Sequence, residues 1–167
     1  MVGRFLGDIA GGISMNLVLL FTFRLLGFGW NGDGILLKSS SQSEKLIAVW
    51  TEIEPIPLIV NNPVPIIIGV IHAYLFSWLS TSWPKGIANR SLRFAGIVFI
   101  LTFLFWEFFT PSNMFGEPLH LISLELVFWA LIAVADGLAI SAILGRNILP
   151  AAVETPHSSN KAGILKG

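Results

Sequence analysis

The stretch PLHLISLELVFWALIAVADGLAISAIL, from Pro118 to Leu144, decides the fold. It exceeds the ~20 apolar residues that a helix rising about 1.5 Å per residue needs to cross ~30 Å of hydrocarbon. Three further apolar stretches precede it, at about 5–30, 64–83 and 92–109. The chain is therefore predicted to be an integral membrane protein of the all-α class, built as a bundle of four spanning helices.

Composition supports the same class. Hydrophobic residues make up 54% and charged residues 12% of the chain, and the mean hydropathy is +0.76. Soluble domains carry about 25% charged residues. The spans and their links fill 1–150 as one membrane domain with an outer loop at 31–62, and 151–167 is predicted to be a flexible cytoplasmic tail. A net charge of zero argues against nucleic-acid binding, and the lack of cysteine excludes a thiolate nucleophile.

Lysine and arginine are distributed unevenly between the two sides of the predicted bundle. The N-terminus, the second loop and the tail carry Arg4, Lys85, Arg90, Arg93, Arg146, Lys161 and Lys166. The first loop carries only Lys38 and Lys45, and the third loop carries neither residue type. The positive-inside rule therefore predicts that both termini are cytoplasmic. A bacterial plasma membrane and a thylakoid or other internal membrane both fit this expectation.

The outer loop contains a second kind of helical signal. Ser43 is a plausible N-cap, and it precedes apolar residues at helical spacing. These apolar residues are Leu46, Ile47, Val49, Trp50 and Ile53. The pattern predicts a short amphipathic helix lying on the outer membrane face.

Small residues recur every four positions in the first and fourth spans. The first stripe consists of Gly3, Gly7 and Gly11, and the second of Ala133, Gly137 and Ser141. Such stripes allow two helix backbones to approach closely in lipid. Both lie in the cytoplasmic half of their spans, so spans one and four are predicted to pack through them. The alternative is that one stripe faces a second protein.

Ionisable residues inside the spans indicate where the bundle interior is polar, because a charge in hydrocarbon costs a few kcal/mol on insertion scales. An outward polar pocket is predicted from Arg24, His72, Glu107, His120 and Glu125. Arg24 is expected to pair with Glu125 or Glu107, either as a packing lock or as part of a binding pocket. His72 is expected to bond to a carbonyl group or to pair with Glu125.

A second polar contact is predicted on the inner side of the bundle. Asp136 lies there in the fourth span, and Asn16 or Ser14 on the first span is its expected partner. This contact would lie beside the close-packing stripes.

Two cofactor hypotheses are weaker. His72 and His120 are potential axial ligands of a b-type haem, but they differ by roughly 9 Å in depth at the rise of a helix, whereas both ligands of one iron lie at nearly one level. His72, Glu125 and Glu107 suit a metal by ligand type, yet no HExxH or CxxC spacing supports one. No cofactor and no metal site are expected.

The leading functional hypothesis is a non-enzymatic accessory or scaffold component that packs with itself or within a larger membrane complex. It depends on the small-residue stripes, the surface helix and the lack of a recognisable reaction centre. The alternative is a small transporter or ligand-binding membrane protein that uses the polar pocket, and the third is a haem-binding redox subunit. The expected partners are the lipid bilayer and further membrane protein, with no nucleic acid.

Overall fold

A computed structural model of the protein describes residues 2–52 and 63–144, and describes the side chains of residues 9–51, 64 and 67–144. All regular elements in these ranges are helices. Three of them are long and apolar enough to cross a membrane: Ile9–Gly27, Ile87–Met114 and Leu119–Leu144. The prediction of an all-helical chain with membrane-spanning segments is confirmed at this level. The predicted tail lies outside the described residues.

The first helix, α1, comprises Val2–Leu19 and continues without a break as a π-helix over Leu20–Gly27. Its end is fixed by a reversal of the chain at Gly29, where φ is +76°, a value that favours glycine. The backbone then folds back, and the amide of Leu36 donates to the carbonyl oxygen of Gly27 at 2.8 Å. Leu36 is fully buried against this end of α1.

The predicted outer loop contains α2, Glu44–Glu52, where the sequence predicts an amphipathic helix. Leu46 is buried, whereas Glu44 and Lys45 are exposed, so the helix has an inner and an outer face. The hydroxyl of Ser43 donates to the carbonyl oxygen of Phe115 and ties the start of α2 to a distant turn. Ile53, the last residue of the predicted stripe, lies outside the described residues.

Three more helices follow. The helix α3 comprises Pro63–Leu79 and ends in a 3-10 turn, Ser80–Ser82; its apolar part, Ile67–Ser82, is shorter than the other three. The helix α4 begins with Ile87–Val98 and continues through Phe99–Leu104, Phe105–Glu107 and Phe108–Met114, in which π-helical segments flank one α-helical turn. The last helix, α5, is Leu119–Leu144.

The observed α4 is longer than the predicted span of 92–109. At its start, Gly86 has a φ of +124° and turns the chain directly into the helix. At its end, helix continues to Met114, where the sequence predicts a turn. The connection to α5 is therefore only 115–118, which makes α4 and α5 antiparallel neighbours.

The helices pack in an order that the sequence does not show. α1 packs against both α3 and α5, and α4 packs against α5. Aromatic side chains fill the space where α3 meets α4, with the rings of Phe76 and Phe94 edge to face at 5.5 Å. Both rings are almost completely buried. α5 contacts α1, α3 and α4 and forms the centre of the packing.

The small-residue stripes have different partners from those expected. α1 and α5 do pack together, and a Cβ atom at Gly11 would lie 2.8 Å from Oδ1 of Asp136. The α5 stripe instead faces α4. A Cβ atom at Gly137 would lie 2.7 Å from the carbonyl oxygen of Ser91. The hydroxyl of Ser141 donates to the carbonyl oxygen of Ile87 at 3.2 Å.

The reason is rotational. The stripe residues Ala133, Gly137 and Ser141 share one face of α5, and the structure turns that face toward α4. α1 uses the adjacent face, which carries Asp136 and Ile140. Gly3 and Gly7 lie in α1 before the residues whose side-chain surroundings are described.

We predict that Gly137→Ala destabilises the fold by on the order of 1–3 kcal/mol, because the added methyl group meets backbone that cannot rotate away. The matched control is Gly96→Ala on α4, where a Cβ atom would meet nothing within 4 Å. That variant should stay within about 1 kcal/mol of the wild type, since alanine favours helix over glycine. Unfolding in mixed micelles measures both. Equal stability of the two variants would contradict the close contact of α4 and α5.

Candidate functional site

Three glutamates converge at the end of the helices where α2 lies. Glu107 comes from α4, Glu117 from the turn after it, and Glu125 from α5. One carboxylate oxygen from each lies within 4.8 Å of the other two. Their exposed fractions are 1%, 3% and 3%. The connection between α4 and α5 is short, and the two helices are antiparallel. The last turns of α4 and the first turns of α5 therefore lie next to each other and to the segment that joins them.

Two of the carboxylates each accept a hydrogen bond at one oxygen atom and, among the described residues, none at the other. The indole nitrogen of Trp129 donates to Oε1 of Glu107, and the amide nitrogen of Gln42 donates to Oε1 of Glu117 at 2.6 Å. Gln42 is itself held, because its amide oxygen accepts from the backbone of Ser43 at 2.7 Å. The Oε2 atoms of Glu107 and Glu117 are buried and have no hydrogen-bond partner in the described ranges.

The site is strongly acidic. Within residues 2–52 and 63–144, no lysine or arginine forms a salt bridge with any of the three carboxylates. Burial raises the pKa of Glu117, and the nearby charge of Glu107 raises it further against the lowering effect of the Gln42 hydrogen bond. Ionised carboxylates have no donor to offer one another. Close approach of the three therefore requires protons or another positive charge between them.

An apolar cavity of about 450 Å³ adjoins the glutamates. Its polar end is formed by Glu107 and Glu125, and α2 contributes Leu46, Val49 and Trp50 to its wall. The remaining lining is largely aromatic and comes from Phe23, Phe28, Trp106, Phe115 and Trp129, among others. This volume falls in the range of small-molecule sites, ~300–1,000 Å³, which combine an apolar wall with a few polar groups.

The aromatic wall is itself well packed. Trp129 stacks on Phe103 with ring centroids 4.4 Å apart and contacts Phe23 at 4.6 Å, so its indole is fixed while it donates to Glu107. Trp50 of α2 meets Phe28 edge to face at 4.8 Å. The side chains that line the cavity therefore bring α2 together with α1 and α5.

The structure brings together only part of the predicted polar pocket, namely Glu107 and Glu125. Arg24 is exposed and forms no salt bridge within the described ranges. At its level, α1 buries Thr22, Phe23 and Gly27, and Arg24 lies on the other face. The expected pairing with Glu125 or Glu107 is not formed.

The two histidines also have separate partners. Nδ1 of His72 lies 2.6 Å from Oδ2 of Asp136, and the pair is buried between α3 and α5. His120 is exposed, and its Nε2 lies 2.9 Å from the hydroxyl of Ser41. Neither histidine belongs to the glutamate cluster, so the haem pair and the His72, Glu107 and Glu125 metal set do not assemble.

Asp136 has a different partner from the predicted one. His72 reaches it from α3, because α3 packs on α1 close to α5. Ser14 donates instead to the carbonyl oxygens of Gly11 and Ala135, at 2.9 and 3.3 Å. No hydrogen bond links Asn16 to Asp136. Oδ1 of Asp136 has no partner in the described ranges.

Three functional residues are missing from the sequence-based pocket: Glu117, Gln42 and Trp129. For Glu117 a signal existed, because it lies in the short connection between two spans that each carry a glutamate near the same end. The other two carry no such signal. Gln42 is distant in sequence, and Trp129 reads as one more apolar residue of α5.

We predict a pH-dependent stability difference between the wild type and Glu117→Gln. The unfolded chain releases the Glu117 proton near pH 4.5, whereas the folded chain keeps it to higher pH. The contribution of protonated Glu117 to the free energy of unfolding is fully present below pH 4.5. It is lost as the pH rises through the pKa that Glu117 has in the folded chain. The wild type should therefore lose stability relative to Glu117→Gln as the pH rises.

The measurement is the free energy of unfolding across a pH series in micelles containing a chelator. Glu44→Gln, which alters an exposed carboxylate on α2, is the control and should follow the wild type. If the difference in unfolding free energy between wild type and Glu117→Gln did not change with pH, the raised pKa of Glu117 would be contradicted.

Searches of protein-family models, curated proteins and solved structures found no match to the chain.

Proposed function

We propose that the protein is a four-span integral membrane bundle with both termini in the cytoplasm and α2 lying along the outer face. Three helices of sufficient length and apolarity support this arrangement, together with the shorter apolar helix α3. The distribution of lysine and arginine supports the orientation. In this arrangement, the glutamate cluster and the cavity lie at the outer end of the bundle.

The absence of cysteine allows a direct test of this topology. Ser40 in the outer loop and Ser82 in the loop after α3 are both exposed, so each is replaced singly by cysteine. An impermeant maleimide applied to intact cells should label Ser40→Cys, and should label Ser82→Cys only after the membrane is permeabilised. Labelling of both variants from outside, or of neither, would contradict the four-span topology.

We further propose that the protein binds an amphiphilic molecule in the cavity. One observation carries this proposal: an aromatic cavity of about 450 Å³ ends at buried carboxylates. The apolar body of the ligand would lie against Phe23, Phe28 and Trp129. Its polar end would donate a hydrogen bond to Glu107 or Glu125, because a carboxyl group has acceptor oxygens whether or not it carries a proton.

Ligand binding makes use of features that packing alone does not need. A core built only for stability is filled to a density of about 0.75 and avoids carboxylates without partners. Here an apolar cavity is lined by Glu107, whose buried Oε2 atom has no partner among the described residues. The role is non-enzymatic, with the carboxylates acting as acceptors. The accessory or scaffold role stays a prediction, because it depends on contacts with other chains.

Blocking the cavity tests the proposed binding. Val49 lies in the wall of the cavity, so Val49→Trp should fill part of it and reduce photolabelling by a diazirine-bearing alkyl alcohol at least tenfold. Leu101→Trp is the matched control, because Leu101 is 72% exposed on α4 and does not line the cavity. It should be labelled like the wild type.

Peptide mapping of the labelled protein gives the second readout. The wild type should carry the label on cavity residues such as Phe115 and Leu46. Unchanged labelling of Val49→Trp, or label spread evenly over the exposed helix faces, would show that the alcohol partitions into the surrounding detergent and would overturn the proposal.

A further inference from the structure

Two oxygen atoms of the glutamate cluster have no hydrogen-bond donor among the residues that the structure describes. Trp129 and Gln42 donate to one oxygen each of Glu107 and Glu117, which leaves both Oε2 atoms without partners although the side chains are 1% and 3% exposed. Glu125 contributes the third carboxylate oxygen of the cluster, within 4.8 Å of the other two, and also lines the cavity. Buried acceptors normally find a donor or a cation, so these atoms point to a ligand.

Charge balance gives the sign of that ligand. Three carboxylates meet within 4.8 Å, and within the described ranges no basic side chain is paired with them. Like charges at this distance in a poorly solvated site repel strongly. Either shared protons or a bound cation must offset this repulsion. Because the Oε2 atoms of Glu107 and Glu117 lack hydrogen-bond partners in the described part of the chain, we infer that Glu107, Glu117 and Glu125 form a binding site for a divalent cation of the size of Ca²⁺.

The spacing of the oxygens supports an ion of this size. Ca²⁺ binds oxygen at about 2.3–2.6 Å, so two oxygens on opposite sides of it lie up to ~4.6–5.2 Å apart. The limit of 4.8 Å in the cluster falls in this interval. Mg²⁺ binds at about 2.0–2.1 Å and would need the glutamates to move closer, because its limit is ~4.2 Å.

The surroundings also suit a metal site. Hydrogen bonds from Trp129 and Gln42 orient the carboxylates from behind, as outer partners commonly orient metal ligands. Ca²⁺ takes six to eight oxygens in general, and three carboxylates leave room for water or a ligand hydroxyl from the cavity. The site rests on the same cavity as the proposed function, and an ion there would attract the polar end of the amphiphile.

Such an ion would join parts of the chain that are distant in sequence. It would connect α4 to α5 directly, and Gln42 would extend the connection to the segment that leads into α2. Binding should therefore stabilise the folded protein, since the unfolded chain does not hold the three carboxylates together.

Tb³⁺ luminescence tests the inference on the full-length protein in detergent, without the alkyl alcohol used for photolabelling. Tb³⁺ replaces Ca²⁺ at oxygen sites, and Trp129 lies close enough to sensitise it through its contact with Glu107. The wild type should show saturable emission that Ca²⁺ displaces, with half-displacement on the order of 10⁻⁴ M, as in extracellular Ca²⁺-binding modules. Mg²⁺ should displace it less effectively.

Conservative variants locate the site. Glu117→Gln and Glu125→Gln should each weaken Tb³⁺ binding at least tenfold, whereas Glu44→Gln on the exposed face of α2 should bind like the wild type. Replacing one of three mutually repelling carboxylates should not prevent folding. Thermal unfolding with and without Ca²⁺ gives an independent readout: Ca²⁺ should raise the midpoint of the wild type and not that of Glu125→Gln.

Two results would overturn the inference. One is the absence of saturable, Ca²⁺-displaceable emission from folded wild type, which would indicate shared protons instead of a metal. The other is equal affinity of wild type and Glu125→Gln, which would place the ion elsewhere. Photolabelling of the cavity is carried out in chelator, so it can succeed when Tb³⁺ binding fails. That combination would overturn the cation site and leave amphiphile binding intact.

Discussion

Hydrocarbon offers no hydrogen-bond partner to a backbone amide or carbonyl group, and this constraint governs the rest of the structure. A chain segment in such surroundings must satisfy its polar backbone internally, which an α-helix or a π-helix does. The long apolar helices Ile9–Gly27, Ile87–Met114 and Leu119–Leu144 meet the requirement over their full length. Wider turns within α1 and α4 keep the hydrogen bonding continuous while they change the direction in which later side chains point.

Helices in lipid gain little from burying apolar surface against one another, so their packing depends on close fit and on polar contacts. Both occur around Asp136. Gly11 of α1 leaves space for its carboxylate, and His72 of α3 supplies a partner at 2.6 Å. Three helices thus meet at one buried polar group. On the next face of α5, Gly137 lets the backbone of α4 approach, which completes the contacts of the central helix.

The two acidic sites differ in whether a basic side chain is paired with them and in what surrounds them. Asp136 has a basic partner within the bundle, and its role is explained by packing. The cluster of Glu107, Glu117 and Glu125 has hydrogen-bond donors on one side and an apolar cavity on the other, with no basic partner among the described residues. A polar site left incomplete by its own chain and open to a cavity is suited to binding something from outside. This contrast favours a binding role for the glutamate cluster over one for Asp136.

How much of this was predictable from sequence differs between the fold and the site. Partition into lipid depends on the length and apolarity of each segment alone, so the helices and their approximate limits were predictable, as was the amphipathic character of α2. The meeting of Glu107 with Glu125 was also predictable in part, because both lie near the ends joined by a short connection.

Which side chains face one another depends on the rotation of each helix about its axis and on the path of the turns, and a linear pattern does not carry this information. The tertiary structure alone decided that Arg24 points outward, that His72 pairs with Asp136, and that the stripe ending in Ser141 faces α4. It also decided that Gln42 reaches Glu117 across 75 residues of sequence. The sequence by itself determined the helices, and only their packing determined where charge is buried.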